Sequence, residues 1–338
     1  MKKIAIIILC IGFGKFYAQQ DKSISMWSQS PMMYNSGAVA TGEEDYSFFT
    51  NFRYQWFTVG DKPMRTNILN ASFKIPDGFL GRNNFGIGIN AVNDQTGDIG
   101  FMTTAVSVPI NYTIALDKRN KLSIGISPGF YQQGYDAGFQ TWENQWTGGG
   151  FNGGINSEPS LNANASYATI DMSTGVFYQH SLRNKTLLYG GIGLNHITKQ
   201  KINFSFNGDR LYMQTVAHFG ANIVTKKRDL RIQPQVMYFK TGPGSNLIGG
   251  ISMEHILKEG SAITNINKTV TVNYGFYYRY QDALVTTFGF KIKGFRMGVS
   301  FDANLSYFNQ ATNSLGAFEI YIKSLHLYKN SNKRDKVL

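Results

Sequence analysis

Apolar and polar side chains alternate at every position from Phe295 to Leu305. Because successive side chains of a β-strand point to opposite faces of a sheet, this period of two predicts a strand with one apolar and one polar face. A soluble β-sandwich also contains alternating strands. Strands of about 9 to 11 residues, however, fit a tilted membrane crossing and exceed the usual soluble strand. The length of the pattern therefore favours a transmembrane barrel.

The same alternation recurs in three other parts of the chain. The apolar residues expected on one face of a strand are Leu122, Ile124, Ile126 and Phe130; then Phe85, Ile87, Ile89 and Ala91; and finally Leu211, Met213, Ala217, Phe219, Ala221 and Ile223. No stretch after the first 16 residues offers 18 consecutive apolar positions, which excludes a helical membrane protein.

Runs between turn signals predict fourteen strands. They lie at residues 46–57, 65–75, 83–92, 100–116, 120–134, 166–179, 185–198, 210–225, 229–240, 246–258, 266–280, 283–293, 294–306 and 314–328. An even number of strands lets an antiparallel barrel close with both termini on the periplasmic side. The fold class that we predict is a closed, all-β transmembrane barrel.

The lengths of the links between strands predict the orientation of this barrel, because periplasmic turns are short and outside loops are longer. Tight, charged links follow even-numbered strands at residues 117–120, 183–185, 226–229 and 293–294. The longest link, 134–165, follows an odd strand. Two links depart from the rule, since 258–268 is long for an inner turn and 281–282 is short for an outer loop.

Aromatic residues, which make up 14% of the chain, end five of the seven odd strands. These groups are Trp56-Phe57, Phe130-Tyr131, Tyr238-Phe239, Tyr277-Tyr278 with Tyr280, and Tyr307-Phe308. Aromatic rings prefer membrane interfaces, where the ring is buried and a polar edge stays wet. We therefore expect these strand ends at the outer interface.

The N-terminus has the form of a secretory signal, with Lys2 and Lys3 before an apolar run at residues 4–16. Cleavage after Ala18 would remove residues 1–18 together with Cys10, the one cysteine of the chain. The mature chain would then contain no disulfide or thiolate metal site. Beyond the signal, we expect an N-terminal periplasmic or lumenal segment at 19–45, a barrel at 46–328 and a polar tail at 329–338.

Sequence patterns for catalysis, metal binding and cofactors are weak in this chain. Its five histidines lack metal-ligand spacing, and the glycine-rich stretch 148–154 has neither the lysine nor the strand-to-helix context of a nucleotide loop. The enzymatic alternative is a barrel hydrolase that uses His180 and Ser181, although no Gly-x-Ser-x-Gly motif is present. We predict a protein that is not an enzyme, with no catalytic, cofactor or metal site.

The balance of 33 basic against 21 acidic residues fits charged turns or anionic headgroups. Nucleic acid is not an expected partner of an exported chain. Lumen positions such as Arg279, Lys291, Lys293, Arg296 and Asp302 would suit a diffusion or uptake channel. An N-terminal segment inserted into the lumen would count against that channel.

Two segments contain aromatic residues that need cover or a partner. The segment before the first strand contains four large apolar residues, Trp27, Met32, Met33 and Tyr34. We predict that this segment enters the lumen or docks against a partner, the alternative being a disordered tail. In the longest loop, Trp142, Trp146 and Phe151 form a candidate patch for partner binding or pack on the barrel rim. Both alternatives stay open at this point.

Several motifs occur in an order that resembles the PorP/SprF family. The motifs are Met26–Gly42, with Ser28, Gln29, Tyr34, Asn35, Ala38 and Gly42; Phe52-Arg53-Tyr54-Gln55-Trp56; Phe85–Gly88 with Asn93-Asp94; Leu122–Asp136; and Gly316–Ile322, with Glu319 and Ile320. Two features depart from the family pattern. Ser36-Gly37 replaces the usual proline, and residues 329–338 follow the last predicted strand, where many bacterial barrels end on an aromatic residue that acts as an assembly signal.

This resemblance implies an outer-membrane component of the type IX secretion system of Bacteroidetes. It implies as partners periplasmic ring or peptidoglycan-binding components, together with an exported surface protein, such as a gliding adhesin, that carries a C-terminal sorting domain. Outer-membrane lipid would surround the barrel. The N-terminal residues that we expect to contribute to partner binding are Trp27, Ser28, Gln29, Met33, Tyr34 and Asn35.

Overall fold

The computed structural model describes residues 23–59, 62–75, 84–97, 100–135, 141–155, 166–183, 186–201, 210–225, 229–258, 269–307 and 309–328. The expected signal peptide with Cys10, its cleavage site, Phe308 and the tail 329–338 lie outside the described residues.

Fifteen strands within the described residues form one antiparallel sheet. They are β1 (Tyr46–Gln55), β2 (Met64–Lys74), β3 (Phe85–Thr96), β4 (Phe101–Ser107), β5 (Ile110–Ala115), β6 (Asn120–Gly134), β7 (Ser166–Ser181), β8 (Leu187–Asn195), β9 (Gln214–Val224), β10 (Leu230–Thr241), β11 (Gly244–Lys258), β12 (Val270–Arg279), β13 (Ala283–Ile292), β14 (Phe295–Asn304) and β15 (Leu315–His326). One short α-helix, α1 (Asn309–Thr312), precedes β15. In the described part of the chain, no helix is long and apolar enough to span a membrane.

The sheet closes on itself because β1 pairs with both β2 and β15. Strands β4 and β5 form a single crossing, since the pairings Asn90↔Ser107 and Ile87↔Ile110 keep one register with β3. Pro109 interrupts the ladder because proline has no N–H to donate. The described strands therefore make fourteen crossings of a closed antiparallel barrel, which confirms the predicted fold class.

Polarity is distributed in the opposite sense to that of a soluble barrel. Large apolar side chains such as Phe52 and Leu69, each 58% exposed, point outward, whereas Asn51 and Asn70 point inward and are buried. The strand Phe295–Asn304 follows the predicted alternation, with Asp302 buried inside. An apolar exterior around a polar interior is the arrangement of a transmembrane barrel.

The aromatic strand ends divide between the two faces of the wall. Phe130, Tyr238 and Tyr278 are exposed on the outer face, whereas their neighbours point into the barrel. The buried neighbours are Tyr131, Phe239 and Tyr277. Each pair therefore contributes one ring to the outer surface and one to the lumen.

Two sequence predictions about individual residues were wrong. Leu211 was expected in a strand, on the same face as Ala217 and Phe219, but β9 begins only at Gln214, and Leu211 packs in a buried cluster with Tyr131 and Tyr167. Its backbone N–H bonds to Gln200 O outside the ladder, so strand alternation does not apply there. Lys293 was expected in the lumen, but it lies with Gly294 in a two-residue turn in which both φ angles are positive.

Candidate functional site: the segment inside the barrel

Residues 23–42, which we call the plug, lie in the lumen. Plug atoms bond to Asn70 of β2, Asn111 of β5, Val176 of β7, His218 of β9 and Glu319 of β15. A segment that contacts strands from all around a closed sheet must lie within that sheet. The barrel therefore encloses the segment that precedes its first strand.

The plug contains three short 3-10 turns, Trp27–Gln29, Pro31–Met33 and Ser36–Ala38. Pro31 suits the first position of its turn because its ring fixes φ and that position needs no N–H donor. Asn35 caps the third turn, since its Oδ1 accepts a hydrogen bond from Gly37 N at 2.9 Å. This local chemistry favours a compact, non-helical path.

A group of charged wall residues holds the N-terminal end of the plug. We call Arg53, Arg279, Asp302 and Glu319 the latch. Ser25 N donates to Glu319 Oε1 at 2.7 Å, and the Ser25 hydroxyl lies 2.7 Å from Asp302 Oδ2. Glu319 also accepts from the backbone N–H of residue 26 at 3.1 Å. The wall carboxylates therefore bind the plug through two main-chain N–H groups at Glu319 and through the Ser25 hydroxyl at Asp302.

Within the latch, two arginines balance two carboxylates. Arg53 contacts Glu319 at 2.5 Å and Asp302 at 3.1 Å, and Arg279 contacts Asp302 at 2.9 Å. The side chains of Arg53, Asp302 and Glu319 are at most 3% exposed. Because a buried charge without a partner is very costly, each latch residue depends on the others.

On the opposite side of the lumen, the plug lies directly against main chain. We call Gly125, Gly175, Gly191 and Gly193 the glycine floor. A Cβ atom added at any of the four would come within 3 Å of plug atoms in residues 34–37. A larger residue at these inward positions would therefore displace the plug.

Asn35 fixes the plug on the glycine floor and is completely buried. Its Nδ2 donates to Val176 O at 3.0 Å and lies 3.0 Å from His218 Nε2. The His218 ring stacks on Phe177 and meets the edge of Trp27. These contacts are neutral, in contrast to those of the latch.

A third set of contacts lies where the plug passes the short-turn end of β14 and β15. Arg296 Nη1 donates to Gln29 Oε1 at 3.2 Å, and Lys323 Nζ donates to Gln29 O at 2.9 Å. Glu254 pairs with Arg296 at 2.9 Å, and Glu44 pairs with Lys323 at 3.5 Å. Burial alone would raise the pKa of Glu44. The neighbouring Lys323 and other cations have the opposite and larger effect, so the pKa of Glu44 lies below its usual value.

The six N-terminal residues predicted for partner binding all lie in the plug. Trp27, Tyr34 and Asn35 are buried among wall residues, whereas Ser28, Gln29 and Met33 are partly exposed. Met33 also lines a cavity of about 90 Å³ between the plug and the wall. Only the partly exposed residues could meet a partner while the plug stays in place.

The three predicted loop residues lie outside the lumen site. Trp146 and Phe151 are each 53% exposed, and their ring centroids lie 5.0 Å apart. A tight turn brings them together, with Thr147 N donating to Gly150 O at 3.0 Å and Gly148 at φ +86°. Trp142 is half-buried. The described part of the loop, residues 141–155, thus presents an exposed aromatic pair.

Sequence reasoning noted the four latch residues only separately, either as lumen charges or as family matches, and it missed Ser25. The inward face of each strand was visible from the alternation, which gives a list of lumen residues. The alternation does not indicate which lumen residues contact one another, because such contacts join distant parts of the chain. Ser25 and Asp302, for example, are 277 positions apart.

The residues of the alternative hydrolase do not form a catalytic pair. His180 and Ser181 are consecutive in β7, so their side chains point to opposite faces of the sheet. His180 Nδ1 bonds instead to Asn120 Oδ1 at 2.6 Å on the outer face. Among the described residues, no group of three or more His, Cys, Asp or Glu side chains could hold a metal ion.

These features define a class of protein: a transmembrane β-barrel with an apolar belt and a lumen that holds its own N-terminal segment. The sequence model of the type IX secretion system membrane protein PorP/SprF family matches residues 16–323. The chain therefore belongs to the PorP/SprF family, which confirms the family predicted from its motifs. It is an outer-membrane component of the type IX secretion system.

Solved outer-membrane barrels resemble the chain at low sequence identity. The Pseudomonas putida toluene transporter TodX is 9% identical, with a TM-score of 0.46, over 90% of this chain and 93% of its own. A FadL homologue from Pseudomonas aeruginosa is 8% identical, with a TM-score of 0.45, over 86% and 92%. BamA from Haemophilus ducreyi lacking POTRA domains 1–3 is 8% identical, with a TM-score of 0.42, over 83% and 70%. A search of curated proteins returned no match.

Proposed function

We propose that this barrel is a non-enzymatic anchor, which assists the secretion or surface attachment of a partner protein. The observation that carries the proposal is the plug, because a segment held within the lumen by buried charges occupies space that a diffusing solute would need. Family membership supports a role in type IX secretion. The protein would then act through its surfaces rather than through its pore.

The exposed aromatic pair of Trp146 and Phe151 is the strongest candidate contact for an exported partner. Exposed aromatic residues dominate many protein interfaces, and this pair is held together by a short turn. The partner that we propose is a surface protein with a C-terminal sorting domain, such as a gliding adhesin. Periplasmic ring or peptidoglycan-binding components would contact the short-turn end.

A comparative pull-down from outer membranes tests this proposal. We expect wild-type protein to retain an exported surface protein and the double variant Trp146→Ala/Phe151→Ala to lose most of it. Tyr307→Ala is the matched control, since Tyr307 is an aromatic residue that is 99% exposed. Retention of the same proteins by all three forms, or of no exported protein by any, would contradict the proposal.

The alternative function is a diffusion or uptake channel, which the inward, partly exposed Lys291 and Arg296 favour. Planar-bilayer recording of purified protein separates the two functions. We expect no stable conductance from wild type, and conductance steps after Asp302→Ala weakens the latch. Steady conductance from wild type would favour the channel.

A further inference from the structure

An apolar groove of about 650 Å³ runs along the outer wall over β7, β8 and β9. Gly190 lies at its centre, and the cross-strand neighbours of Gly190 are Tyr178 and Phe219. Leu188 and Ile192 extend the groove along β8 for four residues, or ~13 Å at the usual rise per residue. This volume lies within the range of ligand sites, ~300–1,000 Å³.

One end of the groove is polar and built from hydrogen-bonded side chains. Asn120 Oδ1 accepts from the Tyr178 hydroxyl and lies 2.6 Å from His180 Nδ1. Asn120 Nδ2 in turn donates to Asp117 Oδ2. Asn120, Tyr178 and His180 all line the groove. The groove therefore changes from apolar to polar where β6 and β7 reach their short turns.

Two short turns beyond this polar end carry exposed cations. Lys118 and Arg119 lie in the β5–β6 turn, and Arg183 follows β7. The β5–β6 turn is bonded to the end of β7, since Ser181 N donates to Arg119 O at 2.9 Å. Asp117 is the one carboxylate in the described part of these turns, and it is engaged by the backbone N–H groups of residues 119 and 120. A surplus of positive charge remains.

We propose that this groove binds an anionic glycerophospholipid, with one acyl chain over Gly190 and the phosphate beside Arg119 and Arg183. From Gly190 towards the short turns, the surface is first apolar, then hydrogen-bonding and finally cationic. The acyl chain, ester and phosphate of a glycerophospholipid follow one another in the same order. Short turns of such barrels face the periplasm, where a phospholipid headgroup would lie. The site is independent of any role in secretion.

Native mass spectrometry of the full-length barrel in mild detergent tests the headgroup. Protein is incubated with phosphatidylglycerol, phosphatidylethanolamine or lipid A. We expect preferential retention of phosphatidylglycerol, and a loss of about fivefold in its affinity for each of Arg119→Gln and Arg183→Gln. Lys240→Gln, which removes an exposed cation from the other end of the barrel, should have no effect.

The acyl-chain groove is tested by filling it. A Cβ atom added at Gly190 would come within 3 Å of the Phe219 ring, so Gly190→Leu must displace that ring and fill the groove. We expect it to reduce retention of phosphatidylglycerol at least tenfold. Gly249→Leu is the matched control, since Gly249 is also an outward glycine but a Cβ there meets its neighbours only at 3.5 Å. If Gly190→Leu does not assemble, Ala217→Phe fills the same groove.

Three results would overturn the proposal: equal retention of phosphatidylglycerol and phosphatidylethanolamine, preferential retention of lipid A, or retention that Gly190→Leu and Ala217→Phe leave unchanged. Selective retention that both the charge variants and the groove variants reduce would support it.

Discussion

The two sides of the lumen hold the plug by different physical means. On the side of β1, β12, β14 and β15, the latch binds Ser25 through buried charges and hydrogen bonds. On the side of β6, β7 and β8, the glycine floor lets the plug main chain touch the wall, and Asn35 adds neutral hydrogen bonds. The comparison shows that charge secures one end while close packing sets the position of the other.

The largest expected effect comes from breaking the latch. Glu319→Ala leaves Arg53 buried with one fewer carboxylate and removes the acceptor of two plug N–H groups. We expect the free energy of unfolding to fall by ~3–5 kcal/mol. Urea unfolding in lipid vesicles measures it. Glu319→Gln keeps an acceptor oxygen and should cost less, and a loss below ~1 kcal/mol for the alanine variant would show that the latch is not essential.

The next effect comes from overfilling the glycine floor. Gly175→Val places new atoms where Asn35 now lies, and overpacking of this kind costs ~1–3 kcal/mol. We expect lower stability together with faster proteolysis of the plug. The outward Gly249→Val is the control and should change neither quantity. Equal behaviour of the two variants would mean that the plug does not rest on Gly175.

Removal of the neutral bonds of Asn35 should have a smaller effect. Asn35→Ala leaves Val176 O and His218 Nε2 without this partner, for an expected loss of about 1 kcal/mol. The same urea experiment measures it. A loss as large as that of Glu319→Ala would abolish the distinction between the two sides.

The smallest expected effect is the pH-dependent contribution to stability of the ion pair between Glu44 and Lys323. The pKa of Glu44 is lowered from its usual 4.5 in the folded protein, so its stabilisation is present above pH 4.5 and is lost as the pH falls through the folded pKa. We expect Glu44→Gln to cost at most ~1 kcal/mol at pH 7 and less at pH 3. A stability difference that grows on acidification would contradict this assignment.

The sequence predicted the wall well because alternation is a local signal that every strand repeats. It failed at Lys293, which a two-residue turn removes from the lumen, and at Leu211, which precedes the strand it was assigned to. The contacts of the plug depend on residues far apart in the chain, such as Ser25 and Asp302, and no local period encodes them. Family motifs marked Arg53 and Glu319 without indicating that they contact each other.

A disulfide test in intact outer membranes addresses the central claim, that the plug lies inside the barrel. Ser30 Oγ and Asn70 Nδ2 are within hydrogen-bonding distance in the lumen, whereas the adjacent Leu69 points outward. In a chain that also carries Cys10→Ser, we expect Ser30→Cys/Asn70→Cys to form an intramolecular disulfide and Ser30→Cys/Leu69→Cys to form none. Absence of the first disulfide, or equal formation of both, would contradict a plug held within the lumen.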